Sequence, residues 1–201
     1  YYFLNKIALS ELPPFMIASF RFITAGLLVF LLAKLMGLSL RISPKQLLNC
    51  TIAGMLFLTL GNGLVVWALK YVDSGITALE ISAQPLVVLL MMRVLEGKRI
   101  QPMSVVGVIL GIIGIYLLVG QKQMISDENT ILGMVMIFFC MMCWAYGSLF
   151  VAKANLPTNF FINTGYQMII GGLMLFFVSL GFGATWSVPT EWGINVQLSM
   201  I

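Results

Sequence analysis

QLLNCTIAGMLFLTLGNGLVVWAL, residues 46–69, runs for 24 positions without an Asp, Glu, Lys or Arg. As an α-helix rising 1.5 Å per residue it would be about 36 Å long, enough to cross a hydrocarbon core of about 30 Å. The same reading extends outward from this stretch. Ile100–Gln121, Asn129–Ala152 and Ala154–Thr190 are equally free of charge, and Leu12–Ala33 and Ser74–Met92 are each interrupted by a single charge, Arg21 and Glu80. Six membrane spans are therefore expected, at roughly 12–34, 47–69, 75–93, 102–120, 130–153 and 160–183. Breakers and caps separate them: Pro13-Pro14, Ser43-Pro44, Asp73-Ser74-Gly75 and Leu156-Pro157-Thr158-Asn159. With 60% hydrophobic and 9% charged residues and a mean hydropathy of +1.02, the 201-residue chain is composed for lipid rather than water.

Composition also excludes function classes. The net charge of +4 lies in short segments between apolar spans and forms no basic, aromatic-interleaved surface, so no nucleic-acid partner is expected. With no histidine in the chain, imidazole relays and histidine-based triads are ruled out. Cys140 and Cys143 have CxxC spacing, but no second pair accompanies them. They read, with Cys50, as small apolar residues rather than zinc ligands, and no metal is expected. No Walker sequence is present to couple ATP. No cofactor is called for, although a proton or another ion could drive the protein.

Orientation follows from basic residues, which concentrate in short cytoplasmic loops. Lys34, Arg41, Lys45, Arg93, Lys98, Arg99 and Lys153 fall in one alternate set of connections, and Lys6, Lys70 and Lys122 in the other. The connections after the first, third and fifth spans are thus expected in the cytoplasm. Trp67, Tyr71, Trp186 and Trp192 would then anchor at the outer interface. Sliding the chain on itself by 146 residues superposes the first span on the sixth. Phe15 falls on Phe161, Ile23 on Ile169, Gly26 on Gly172, Leu27 on Leu173, Phe30 on Phe176 and Gly37 on Gly183. Five spans separate the copies, an odd number, so the two must cross the membrane in opposite directions. The expected architecture is an all-α, polytopic integral membrane protein of two inverted five-helix repeats, ten helices in all. Tyr1–Leu4 reads as the end of helix 1, and the six spans as helices 2 to 7. Residues 1–120 would form the first repeat, 121–129 an extracytoplasmic linker, and 130–201 the start of the second repeat.

These residues resemble the EamA-like permeases of the drug/metabolite transporter superfamily. The likeness is carried by Pro14-Phe15 with Arg21-Phe22, Gly61-Asn62-Gly63 through Tyr71, Ser74-Gly75, Pro85-Leu86, Gly107, Gly111 and Gly114, and Trp144-Ala145-Tyr146-Gly147-Ser148. It extends from about Asn5 to Ala184. Arg93-Val94-Leu95-Glu96-Gly97 departs from the order usual in that family, although the acid is present. The resemblance implies ten helices, a plasma-membrane location and movement of small metabolites.

Arg21 within a span costs on the order of 2.5–3.5 kcal/mol by insertion scales, so an intramembrane role is expected for it. Glu80 lies at a depth within about 6 Å of it by helix rise, Asn62 enters the same layer, and Gln84 is one turn below Glu80. Together these four are read as an outer half-site. There Arg21 would hold an anionic group, with Glu80 exchanging a proton or pairing with Arg21; alternatively the two charges form a purely structural bridge. Gln167 is the neutral counterpart of Arg21 in the repeat. Trp144 and Tyr146 would stack on substrate or simply pack. Pro85 should kink the third span. Gly107, Gly111 and Gly114 would permit close helix approach, within the protomer or in a homodimer.

The reading these features favour is a secondary transporter, not an enzyme, that exports a small amino-acid-like or drug-like solute by alternating access. The alternatives are a membrane scaffold or assembly protein and a lipid-acting membrane enzyme. Glu80→Gln separates them: lost solute flux at normal expression is expected for a coupling residue, flux at the wild-type rate would remove that role, and loss of folding would favour the scaffold.

Overall fold

The computed structural model describes residues 13–97, 102–120 and 128–182. The expectations for Tyr1–Leu4, Lys6, Lys98, Arg99, Lys122, Trp186 and Trp192 lie outside these residues. Six helical rods stand where six spans are expected. They are α1, Pro14–Leu35; α2, Pro44–Ala68; α3, Ser74–Ser82 continued by Gln84–Glu96; α4, Pro102–Gly120; α5, Glu128–Lys153; and α6, Phe160–Gly181. Five of them, α1, α2, α3, α5 and α6, are individually long and apolar enough to cross a membrane by length and composition, and α4 falls at the fourth expected span. Their faces agree: Leu27, Leu28, Leu31 and Leu32 on α1 and Leu173 and Phe177 on α6 are exposed, as lipid-facing residues are. The chain is an all-α, multi-pass membrane protein.

Local sequence sets the helix starts. The first N–H groups of a helix have no intrahelical acceptor, and lipid offers none. Ser43 and Gln46 form a capping box, the Gln46 N–H donating to Ser43 Oγ at 3.2 Å and the Ser43 N–H to Gln46 Oε1 at 3.0 Å. Asp73 Oδ1 accepts from the Gly75 N–H at 3.0 Å, and Asn159 Oδ1 from the N–H groups of Phe161 and Ile162. At the other terminus of α3, Gly97 takes φ +65°, the left-handed conformation that stops a helix.

Two of the rods are irregular within the expected membrane span. From Met55 to Gly63 α2 is wound as a π-helix, a geometry rare outside functional sites. In α3 the helix breaks at Ala83, two residues before Pro85, which has no N–H to offer the Ile81 carbonyl.

The most extensive contact joins α1 to α6. Their touching residues run in opposite order: Phe15 meets Phe182, Ile23 meets Gly172, Gly26 meets Ile169, and Phe30 meets Gly165. The two helices are therefore antiparallel, as an offset of five spans requires. The seam is also reciprocal. A Cβ on Gly26 would fall 2.7 Å from Ile169 Cγ1, and a Cβ on Gly172 would fall 2.7 Å from Ile23 Cγ1. A shift of 146 residues carries either contact onto the other, so the pair obeys a local two-fold axis. Ser19, fully buried, donates its hydroxyl to the Gly172 carbonyl across the seam at 2.9 Å. Phe15, Trp67 and Phe182, with ring centroids 5.5–5.6 Å apart, close the α1–α2–α6 junction at one end of the bundle, called here the Trp67 end.

From that seam α2 reaches α5, α5 reaches α3, and α4 lies outside against α3. The helix-packing role expected of Gly107, Gly111 and Gly114 is not used within the described residues: nothing lies within 4 Å of a Cβ built on Gly107 or Gly114, and Gly111 meets only the tip of Leu86 at 3.7 Å. The close approaches belong instead to glycines facing other helices. Replacing Gly26 or Gly172 by Leu should destabilise the protein by about 1–3 kcal/mol through overpacking, read as a lowered thermal midpoint in detergent. Wild-type stability in both variants would show that the seam does not hold the fold.

Candidate functional site

Between α2, α3 and α5 lies a cavity of about 260 Å³, lined by Asn62, Ile81, Gln84, Cys140 and Trp144 among others. Both helix irregularities border it. The π-helical stretch brings Gly61 and Asn62 to one wall, and the α3 break brings Ile81 and Gln84 to another. Gly61 is needed there, because a Cβ would collide with the Cδ1–Nε1 edge of the Trp144 indole. Trp144 is held from its other neighbour by an edge-to-face contact with Phe57, centroids 4.6 Å apart. It is still 40% exposed, so its ring is positioned without being enclosed.

The polar side chains are tied down by the irregular backbone. Asn62 Nδ2 donates to the Phe57 carbonyl at 3.0 Å, and Gln84 Nε2 to the Met141 carbonyl on α5 at 3.1 Å. A carbonyl can only accept, so each amide must turn its nitrogen to the backbone. Glu80 is not among the lining residues; it immediately precedes Ile81 and lies four residues before Gln84, across the break in α3. Its Oε2 is buried and accepts no hydrogen bond.

Of the residues expected to form the half-site, Asn62, Gln84 and Trp144 are brought together with Glu80 beside them. Arg21 does not line the cavity. The physical reason is packing: α1 gives its buried face to α6 and α2, while Glu80 lies on α3, which packs on α5. Gln167 lies elsewhere too. Its Nε2 donates to Asn163 Oδ1 at 2.8 Å, and the Cys50 thiol approaches the same oxygen at 3.6 Å, forming a polar chain between α2 and α6. Tyr146 is also separated from Trp144. It lines a groove of about 330 Å³ at the opposite end of the bundle with Leu95, Phe150, Glu96 and Lys153. There the Lys153 ammonium meets Glu96 Oε1 at 2.6 Å, joining α3 to α5. Sequence reasoning missed this pair, although alternating spans already placed the ends of α3 and α5 together. It also missed the cavity wall at Cys140 and Met141, which nothing in an apolar helix distinguishes from lipid-facing residues.

The EamA-like transporter family model matches residues 1–120. Among curated proteins, the chain is 32% identical over 181 residues to the inner membrane transporter YedA of Escherichia coli K12, covering 89% of this chain and 57% of that protein. It is 28% identical over 171 residues to a chloroplastic WAT1-related protein of Arabidopsis thaliana, with 83% and 41% covered, and 18% identical over 193 residues to the transporter YoaV of Bacillus subtilis, with 94% and 66% covered. The chain thus spans between about two fifths and two thirds of the length of these relatives. A solved crystal structure shares the fold at a TM-score of 0.65 and 21% identity, covering 99% of this chain and 71% of its own. A match over more than half of its length, with relatives named as membrane transporters, makes this chain a member of the EamA-like transporter family.

Proposed function

We propose that the chain is the first repeat, and the beginning of an inverted second repeat, of a secondary transporter that exports a small metabolite from the cell by alternating access. The observation that carries this reading is the cavity at which a π-helical stretch and a proline-broken helix meet within the membrane-spanning region. Irregular backbone is tolerated at membrane depth where it is buried in protein or lines a cavity, and discontinuous helices of this kind form the sites of transporters. The antiparallel, reciprocal α1–α6 seam supports inverted repeats, since it relates the second helix of one five-helix copy to the second helix of the other. Family membership and the names of the relatives support transport over catalysis.

In this reading the solute enters the Asn62–Gln84–Trp144 cavity, and Glu80 binds solute or exchanges a proton at its edge. The protein lies in the plasma or inner membrane, with the α1–α2, α3–α4 and α5–α6 connections in the cytoplasm. Arg93, one turn before the end of α3, and Lys153, at the end of α5, then face that side.

Both parts are testable. Lys45 and Lys70 are exposed near the two ends of α2, whereas the native Cys50, Cys140 and Cys143 are buried. A cysteine replacing Lys70 should react with an impermeant maleimide in intact cells, and one replacing Lys45 only after permeabilisation; the reverse pattern would invert the topology. Gly61→Ala would push the Trp144 indole into the cavity. It should lower solute flux by at least about tenfold, a change of about 1.4 kcal/mol, in protein that still inserts and stays monodisperse. Unchanged flux would take the cavity out of the transport path.

A further inference from the structure

The polarity of the cavity wall is one-sided. The nitrogens of Asn62 and Gln84 are turned to the carbonyls of Phe57 and Met141, and the side-chain oxygens Asn62 Oδ1 and Gln84 Oε1 accept no bond from any described residue. Glu80 Oε2, buried on α3 next in sequence to the lining residue Ile81, also has no donor. The donor edge of the Trp144 indole faces Gly61. No Lys or Arg is among the described residues that line the cavity. Two amide oxygens on the cavity wall, and a buried carboxyl oxygen four residues before Gln84 on α3, thus offer acceptors with no Lys or Arg among the described lining residues.

We infer that this cavity is a site for the ammonium group of a small organic cation, taken up between Glu80, Asn62 and Gln84 with its apolar body against Trp144. An alkylammonium brings three donors and no acceptor, the complement of that wall. It would provide the charge that a carboxylate buried in a low-dielectric site lacks, and the face of an indole attracts a cation further. An anionic group would meet acceptor oxygens and a like charge. The volume of about 260 Å³ is just below the usual range of about 300–1,000 Å³ for drug-sized ligands, which favours a compact amine. This assignment rests on the transporter reading above for its meaning as a substrate class.

The test uses the intact protein in lipid nanodiscs and three probes of similar size: phenethylammonium, 3-phenylpropionate and benzyl alcohol. Calorimetry should show saturable binding of phenethylammonium and at least tenfold weaker binding of the other two. Glu80→Gln and Gln84→Leu should each weaken the amine at least tenfold. Equal or tighter binding of the carboxylate or the alcohol by the wild type overturns the inference without recourse to any variant. So does amine binding that neither substitution changes in folded protein. Flux of a non-amine solute without amine binding would also overturn the ammonium assignment while leaving transport intact. Specific amine binding without flux of any solute would uphold the site and sink the transporter reading.

Discussion

A peptide group inside a bilayer has no water to bond to, so every N–H and C=O in a span must be satisfied by the chain itself. That constraint governs the structure. It makes the spans helical and places Ser43, Asp73 and Asn159 at helix starts, where four N–H groups would otherwise be left unmatched. It also determines what happens where a helix departs from its regular winding. The π-helical stretch of α2 engages the Asn62 amide at the Phe57 carbonyl. The break in α3 engages the Ser82 hydroxyl at Leu79, and the Gln84 amide reaches across to Met141. Side chains that satisfy irregular backbone end up beside the space that irregularity creates. The polar lining of the cavity is in this sense a by-product of backbone satisfaction, and its acceptor character follows from the direction in which those amides are held.

The α1–α6 seam has a different physics. Apolar side chains gain little by leaving lipid for protein, so membrane helices associate through close packing of small residues and hydrogen bonds across the interface. Gly26 and Gly172 admit Ile169 and Ile23, and Ser19 bonds to the Gly172 carbonyl. Because each half of the seam repeats the other, rotating one helix about the local two-fold axis leaves equivalent contacts. In the proposed alternating-access reading, a packed interface of this kind would serve as the pivot between the repeats, while the Glu96–Lys153 pair ties α3 to α5 near the opposite end from Trp67.

How much of this was legible in the sequence varies by feature. Charge-free runs of sufficient length located all six helices to within a few residues, since burial of charge in lipid is costly wherever it occurs along the chain. The 146-residue offset between Gly26 and Gly172 anticipated an antiparallel pair that the seam contains. Pro85 predicted a kink because a missing N–H is a local property. Asn62, Glu80, Gln84 and Trp144 were legible as polar or aromatic residues at related depths. Their grouping with Cys140 rather than with Arg21 was not.

Depth along a helix is counted from sequence, but the direction a side chain faces depends on which neighbour the helix adopts. Sequence alone thus determined that this is a multi-pass helical membrane protein, where its helices begin and end, and which few polar residues they carry. Only the tertiary structure decided that α1 turns to α6 and α3 to α5, and that residues 55–63 wind as a π-helix whose Phe57 and Gly61 meet Trp144. The reason is that helix partners are chosen by side-chain fit summed over whole faces, as between the glycines and isoleucines of α1 and α6, and no single stretch of an apolar sequence contains both sides of that fit.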